Sequence, residues 1–217
     1  MNALCATPLD DLKNYKCTIT EVAGQRAVVS RTGWSGGFGY EIYPYGSENA
    51  MSLWNAILEA GKPFGIKVTG PIVHRAVERG VTDTDYYSGS NMNALEEVAS
   101  HLVDLDKESD FIGKEALKVI KEKGVTEKLV GIELEGEPII KAPENFWPVI
   151  DSDNKKIGRV SRAFFSPRLK KNIGLAIVDI DYAAEETRFY VATPNGDLES
   201  LVVSMPWFEA DKDTHLD

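Results

Sequence analysis

The sequence predicts an α+β chain in two parts, a mixed α+β segment over residues 1–124 and an all-β module of barrel or sandwich type over residues 125–217. Two observations carry that expectation. Up to Gly124, strand-like runs are interleaved with helical stretches that have apolar residues at three- and four-residue spacing. After Gly124 the pattern changes to short β-branched runs separated by turn residues, the signature of a small closed or stacked β-structure.

Lys16 to Glu21 and Arg26 to Arg31 read as two strands joined by a turn at Ala23-Gly24. Residues 32–39 hold too much glycine for a strand or helix, and Tyr40 to Pro44 is a short alternating strand closed by proline. Ser47 to Ala60 is the first helix. Ser47 suits its N-cap, Met51, Leu53, Trp54, Ile57 and Leu58 its apolar face, and Gly61 its stop. A second helix runs from Pro71 to Arg79, with Ile72, Val73, Ala76 and Val77 inward and Gly80 after it. A third, Lys114 to Lys121, buries Ala116, Leu117 and Ile120. Strands are then expected at 129–133, 148–150, 157–161, 173–178, 188–192 and 198–203, with turns at 151–154 and 194–197.

The net charge of −10 argues against non-specific binding to nucleic acid or to an anionic membrane surface, both of which need a cationic face. Cys5 and Cys17 match no metal spacing and read as free thiols of a reducing compartment. His74, His101 and His215 are isolated from them, so a zinc site is not expected. No apolar run approaches a membrane span and no secretory signal opens the chain, which makes the cytoplasm the default location.

The most informative stretch is Arg31 to Tyr43, RTGWSGGFGYEIY. A glycine-rich loop runs directly into a strand that carries one carboxylate, Glu41. Glycine permits close approach of a flat ligand, and strand alternation puts Glu41 and Tyr43 on one face with Ile42 on the other. Taken alone, the stretch fits a hairpin loop with a surface glutamate better than a binding site.

Two further stretches stand in order behind it: Asp110 to Leu117 (DFIGKEAL) and Phe165 to Ala176 (FSPRLKKNIGLA). With RTGWSGGFGYEIY they resemble the signature of the glycine-cleavage T-protein (aminomethyltransferase) family, C-terminal part, over nearly the whole chain. The resemblance implies the C-terminal part of a folate-binding α/β domain followed by a small antiparallel β-barrel domain, with tetrahydrofolate as cofactor. It implies that Glu41 holds the pterin, whose ring N–H and exocyclic amine lie side by side and suit a two-oxygen acceptor. Trp34 and Tyr43 are candidates to flank the ring, though core packing is as good a use for Trp34.

The chain departs from the family in places. The arginine that members carry early in the second helix is replaced by Ile72, leaving Arg75, and also Arg79, as candidate substitutes. Tyr86 to Met92 differs from the members' loop there. Arg168, Lys170 and Lys171 either meet the glutamate tail of folate or form a solvated turn. Nothing before Lys16 resembles the family's N-terminal half, where its catalytic aspartate lies, so the catalytic residue is not identified in this chain and that half is an expected partner.

Among members, Tyr43, Phe146-Trp147 and Ser161-Arg162-Ala163 look closest to dimethylsulfoniopropionate demethylase. In that reaction a methyl group passes from a sulfonium to tetrahydrofolate, giving 5-methyltetrahydrofolate. Phe146 and Trp147 suit a sulfonium by cation–π attraction, or equally a barrel core. Two alternatives stand beside it: aminomethyl transfer in the glycine cleavage system, and a non-catalytic folate-binding module or fragment.

Overall fold

The computed structural model describes residues 1–34, 37–70, 73–82 and 92–207. Ser35, Gly36, Pro71, Ile72 and the stretch from Tyr86 to Asn91 lie outside the described residues, so the expectations placed on them are not addressed. Internal contacts divide the chain into two compact units, Met1–Ala76 and the described residues from Val77 onward.

The first unit is built on an antiparallel sheet of three strands in chain order, β1 (Cys17–Val22), β2 (Gln25–Ser30) and β3 (Glu41–Pro44). The β1–β2 hairpin turns through Ala23 and Gly24 at φ 50° and 76°. Two successive positive φ angles give the turn whose twist matches its flanking strands. Alternation then sorts the side chains. Val22, Ala27 and Val29, with Ile42, pack on Leu9 and Leu53. Ile19, Val28, Ser30, Glu41 and Tyr43 point away from that core.

Helix α1 (Ala50–Gly61) starts later than expected. Asn49 occupies the cap position, and Ser47 contributes its carbonyl, which accepts the Ala50 N–H at 3.2 Å. Gly61 does not stop the helix. The chain continues through a 3-10 turn, Lys62–Phe64, to a left-handed Gly65 at φ 69°. The apolar residues of α1 also form two stripes rather than one. Leu53 is buried and Ile57 packs beside it, whereas Met51 is 69% and Trp54 47% exposed. At about 100° per residue, Met51 and Leu58 fall away from the Leu53–Ile57 stripe, and Trp54 lies on its flank.

Helix α2 (Val73–Glu78) ends one residue before the expected Arg79. Ala76 and Val77 are buried as expected, and Gly80 follows at φ 67°.

In the second unit, α3 (Lys114–Lys123) is bracketed by Gly113 at φ 92° and Gly124 at φ 81°. Its inner side differs from expectation: Ala116 is exposed, Leu117 and Ile120 are half-buried, and Lys114 is the buried residue. The Lys114 ammonium donates to the carbonyls of Lys107 and Ser109, so its stem is buried without stranding the charge.

The all-β module is a closed antiparallel barrel. Its strands are β4 (Glu127–Leu134), β5 (Trp147–Ile150), β6 (Lys156–Ser166), β7 (Lys171–Asp179), β8 (Arg188–Thr193) and β9 (Gly196–Val203), in the order β4-β7-β6-β5-β8-β9. Every expected strand is present, several of them longer. Closure leaves no free edge. The core is aliphatic with one large aromatic, Phe189, among Ile132, Leu134, Ile157, Val160 and Val191. A register shift at Val160/Arg162 makes Ser161 an extra residue in β6. Opposite that bulge, a Cβ on Gly174 would sit 2.6 Å from the Arg162 carbonyl oxygen, so only glycine lets the two backbones approach.

The turn at 151–154 forms as expected. The Asp151 carboxylate accepts the N–H groups of Asp153 and Lys155 at 2.9 and 3.0 Å.

Candidate functional site

The glycine-rich loop is anchored at its start by Arg31, which is 5% exposed. Its guanidinium donates to the Leu12 carbonyl at 2.9 Å and lies 4.4 Å from the centre of the Phe38 ring. Phe38 meets Tyr40 edge to face at 5.7 Å. The two ends of the loop are thereby tied together. Burial pushes the Tyr40 phenol up from its ordinary value, partly opposed by the Arg31 charge.

The register Ser30↔Glu41 puts the carboxylate directly across from Ser30, on the sheet face opposite the core. Thr32, two residues beyond Ser30, reaches the same point, and its hydroxyl donates to Glu41 Oε2. The Ser30 and Thr32 hydroxyl oxygens are 2.9 Å apart. With the Thr32 hydrogen committed to the carboxylate, Ser30 is left to donate to Thr32, giving a short relay that fixes the carboxylate rotamer. Tyr43 shares the face, as the alternation of β3 requires. Its phenol is pushed up from its ordinary value, first by partial desolvation and then by its hydrogen bond to Glu41. Glu41 is half-buried, and an ionised carboxylate with two oxygens retains acceptor capacity beyond these bonds.

Of the residues singled out in the sequence, the structure brings Glu41 and Tyr43 together. Trp34 is half-buried in the loop and Arg75 is exposed on α2. Among the described residues, no hydrogen bond joins either of these to Glu41. The contributions of Thr32, Ser30 and Arg31 were not read from the sequence. The threonine of the RTG triplet was the available signal, but its reach to Glu41 depends on a strand register that the sequence alone does not fix.

The basic cluster at the β6–β7 turn is organised by its own contacts. The Ser166 hydroxyl accepts the Leu169 N–H at 3.1 Å, Lys170 takes φ 57°, and Lys171 pairs with Glu133 at 2.7 Å. Ser166 is fully buried and donates to the buried Glu78 carboxylate at 2.5 Å, tying the end of α2 to the end of β6.

In the second unit a cavity of about 920 Å³ lies between the β4–β5 loop and the β8–β9 turn, with Ile139, Phe146, Trp147, Pro194 and Leu198 in its wall. The loop is held by Asn172, which is 3% exposed. Asn172 Oδ1 accepts the Ile139 N–H at 2.9 Å, and its Nδ2 donates to the carbonyls of Glu137 at 3.0 Å and Gly136 at 3.4 Å. Trp147 packs partly buried against the barrel core, and the Arg159 guanidinium lies 5.9 Å from the Phe146 ring. Among the described residues, no group of three metal-ligating side chains comes together and no helix is long and apolar enough to cross a membrane.

Two family models match the chain, the GCVT N-terminal domain over residues 1–107 and the glycine cleavage T-protein C-terminal barrel domain over residues 127–209. The chain belongs to the glycine cleavage T-protein family. It is 39% identical over 191 residues to an aminomethyltransferase of Caldanaerobacter subterraneus subsp. tengcongensis, covering 87% of this chain and 50% of that protein. It is 38% identical over 193 residues to an aminomethyltransferase of Bacillus mycoides, covering 88% and 51%. The crystal structure of glycine cleavage system aminomethyltransferase T from Bartonella henselae has the same fold, with a TM-score of 0.78 at 18% identity over 93% of this chain and 54% of that one. The chain thus spans about half the length of the curated relatives it matches.

Proposed function

We propose that this chain forms the folate-gripping portion of a tetrahydrofolate-dependent aminomethyltransferase, with Glu41 as the group that holds the pterin. The observation that carries the reading is the carboxylate itself. It is half-buried, aligned by Thr32, on the same sheet face as Tyr43, and set directly behind a glycine-rich loop. Such a carboxylate presents two acceptors to two adjacent donors, which is the recognition a pterin edge calls for. Tetrahydrofolate, when bound, supplies the amine nitrogen that accepts the one-carbon unit.

The residues of this chain then bind and orient. Glu41 accepts from the ring, Thr32 and Ser30 hold its rotamer, and Tyr43 donates to it while offering its ring beside the site. Trp34 is the candidate second wall. Arg75, exposed on α2, is the candidate partner for the anionic tail. We take residues 1–124 as the folate-binding segment, residues 125–217 as the barrel domain, and the cytoplasm as the location.

Aminomethyl transfer is the donor chemistry we favour, because the relatives at 37–39% identity are named aminomethyltransferases. Methyl transfer from a sulfonium such as dimethylsulfoniopropionate is the second reading, supported by Phe146 and Trp147 in the wall of the barrel cavity. It is weakened by the cation of Arg159 already placed near Phe146.

The test is competition against tetrahydrofolate by a bare pterin and, separately, by p-aminobenzoylglutamate. Displacement by the pterin supports the reading. Displacement by p-aminobenzoylglutamate alone would show that Glu41 is not the recognition element. Binding without any transfer, once the remainder of a T-protein is supplied, would leave a folate-binding module and remove the catalytic reading.

A further inference from the structure

Asn195-Gly196 is the sole asparagine–glycine pair in the sequence. It sits at the β8–β9 turn, where Thr193 and Gly196 are the last paired residues of the ladder. The Thr193 hydroxyl holds the backbone there, accepting the Asn195 N–H at 3.1 Å and donating to the Gly196 carbonyl at 2.7 Å. The Asn195 amide is not held in this way. Asn195 is exposed, and among the described residues its side chain makes no hydrogen bond. Gly196 takes φ 115°, and a Cβ there would meet nothing within 4 Å, so the space beside its backbone is open. Two other asparagines mark the contrast. Asn172 is 3% exposed, has both amide atoms engaged, and is followed by Ile173. Asn154 is exposed, but the next residue is Lys155, which carries a side chain and whose N–H is given to the Asp151 carboxylate at 3.0 Å.

We propose that Asn195 is a site of spontaneous modification, at which the folded chain converts the side-chain amide to an acid through a cyclic imide. The Gly196 nitrogen attacks the Asn195 side-chain carbonyl carbon. A new C–N bond forms, the bond to the amide nitrogen breaks, and that nitrogen leaves as ammonia with the proton given up by the Gly196 N–H. Water then opens the ring at either carbonyl. Opening at one gives aspartate. Opening at the other gives isoaspartate, whose backbone runs through the former side chain and is longer by a methylene. The pairing of Thr193 with Gly196 restrains the nucleophile, so the folded chain reacts more slowly than the unfolded one. Both products place a new carboxylate in the wall of the 920 Å³ cavity, to which Thr193, Pro194 and Asn195 belong. The charged side chains of that wall are Glu137, Glu144 and Lys141, and Lys141 is paired with Glu144. Conversion therefore makes the cavity more repellent to an anion, and the isoaspartate form also lengthens the turn that shapes it. Nothing in this chemistry depends on the folate reading.

The experiment holds the full chain folded in mildly alkaline buffer at physiological temperature, beside the Asn195→Gln variant and beside the wild type in urea. Samples taken over days are read by peptide mass mapping. Asn195 is exposed, so an unchanged thermal melt of Asn195→Gln shows that it folds, and glutamine must close a larger ring. The expected result is a mass gain matching an amide exchanged for an acid in the folded wild type. The gain falls in the peptide holding Asn195, with isoaspartate as well as aspartate, and not in those holding Asn154 or Asn172. The Asn195→Gln chain gains nothing there. An equal gain at Asn154 overturns the proposal. So does aspartate without isoaspartate, the product of direct amide hydrolysis. So does a folded-state rate no greater than the urea rate multiplied by the unfolded fraction from a denaturation curve, since that is conversion by global unfolding alone.

Discussion

Replacing Asn172 by alanine tests how the barrel's largest loop is held. Asn172 lies on β7, 3% exposed, and makes three hydrogen bonds to the backbone of the β4–β5 loop at 2.9, 3.0 and 3.4 Å. The two shorter bonds contribute about 1 kcal/mol each, and the third, at the limit of useful length, contributes less. Gly136 and Glu137 are exposed, so their carbonyls can turn to water after truncation. Ile139 is half-buried, and its N–H loses its acceptor at a further cost of about 1 kcal/mol. The expected loss is therefore about 3–4 kcal/mol. Urea unfolding followed by tryptophan fluorescence reads it, since Trp147 lines the same loop. Asn172→Asp is the informative companion, because it keeps the acceptor for Ile139 but turns a carboxylate oxygen toward two carbonyls. Alanine costing under about 0.5 kcal/mol, or aspartate matching the wild type, would refute the assignment of Asn172 as the loop's anchor.

Three further outcomes follow from the same reasoning. Gly174→Ala should destabilise the barrel by about 1–3 kcal/mol in thermal melts, because its Cβ meets the Arg162 carbonyl oxygen at 2.6 Å and backbone must shift. Arg31→Ala should lower stability by about 2 kcal/mol and raise proteolytic cleavage within residues 32–39, since it removes both the bond to Leu12 and the stacking on Phe38. Asp151 is held below its usual carboxylate value, mainly by the Lys155 N–H, with the Asp153 N–H and the Tyr182 hydroxyl assisting against desolvation. A depressed folded value means that its contribution is present above the unfolded value and is lost as pH falls through the folded one. Tm should thus drop on acidification, and Asp151→Asn should flatten that part of the profile.

The barrel was legible because each of its strands is a β-branched run bounded by turn residues, and turns such as 151–154 carry side chains that bond their own backbone. Strand ends were less so. β6 continues past Ser161 because the bulge there resets the register, and no sequence period announces a bulge. The helix α1 was recognised as amphipathic but given one apolar face where it has two stripes. Met51 and Trp54 raise the apolar count without joining the core, which periodicity alone does not reveal. Within the candidate site, the pairing of Glu41 with Tyr43 followed from strand alternation alone. The relay through Thr32 and Ser30 did not, because it needs the β2–β3 register. Arg31 read as the last residue of a strand, and its burial against Phe38 is a tertiary contact seven positions along the chain.

The central claim is that Glu41 grips a pterin. Calorimetric titration with tetrahydrofolate, of the wild-type chain and of Glu41→Gln, each supplied with the complementary half of a T-protein, tests it most directly. Glutamine keeps the size and one acceptor but replaces the other with a donor. The account predicts saturable binding that the substitution weakens by about 1–3 kcal/mol, the scale of a lost charge-assisted hydrogen bond. Equal affinity for the two proteins would contradict it.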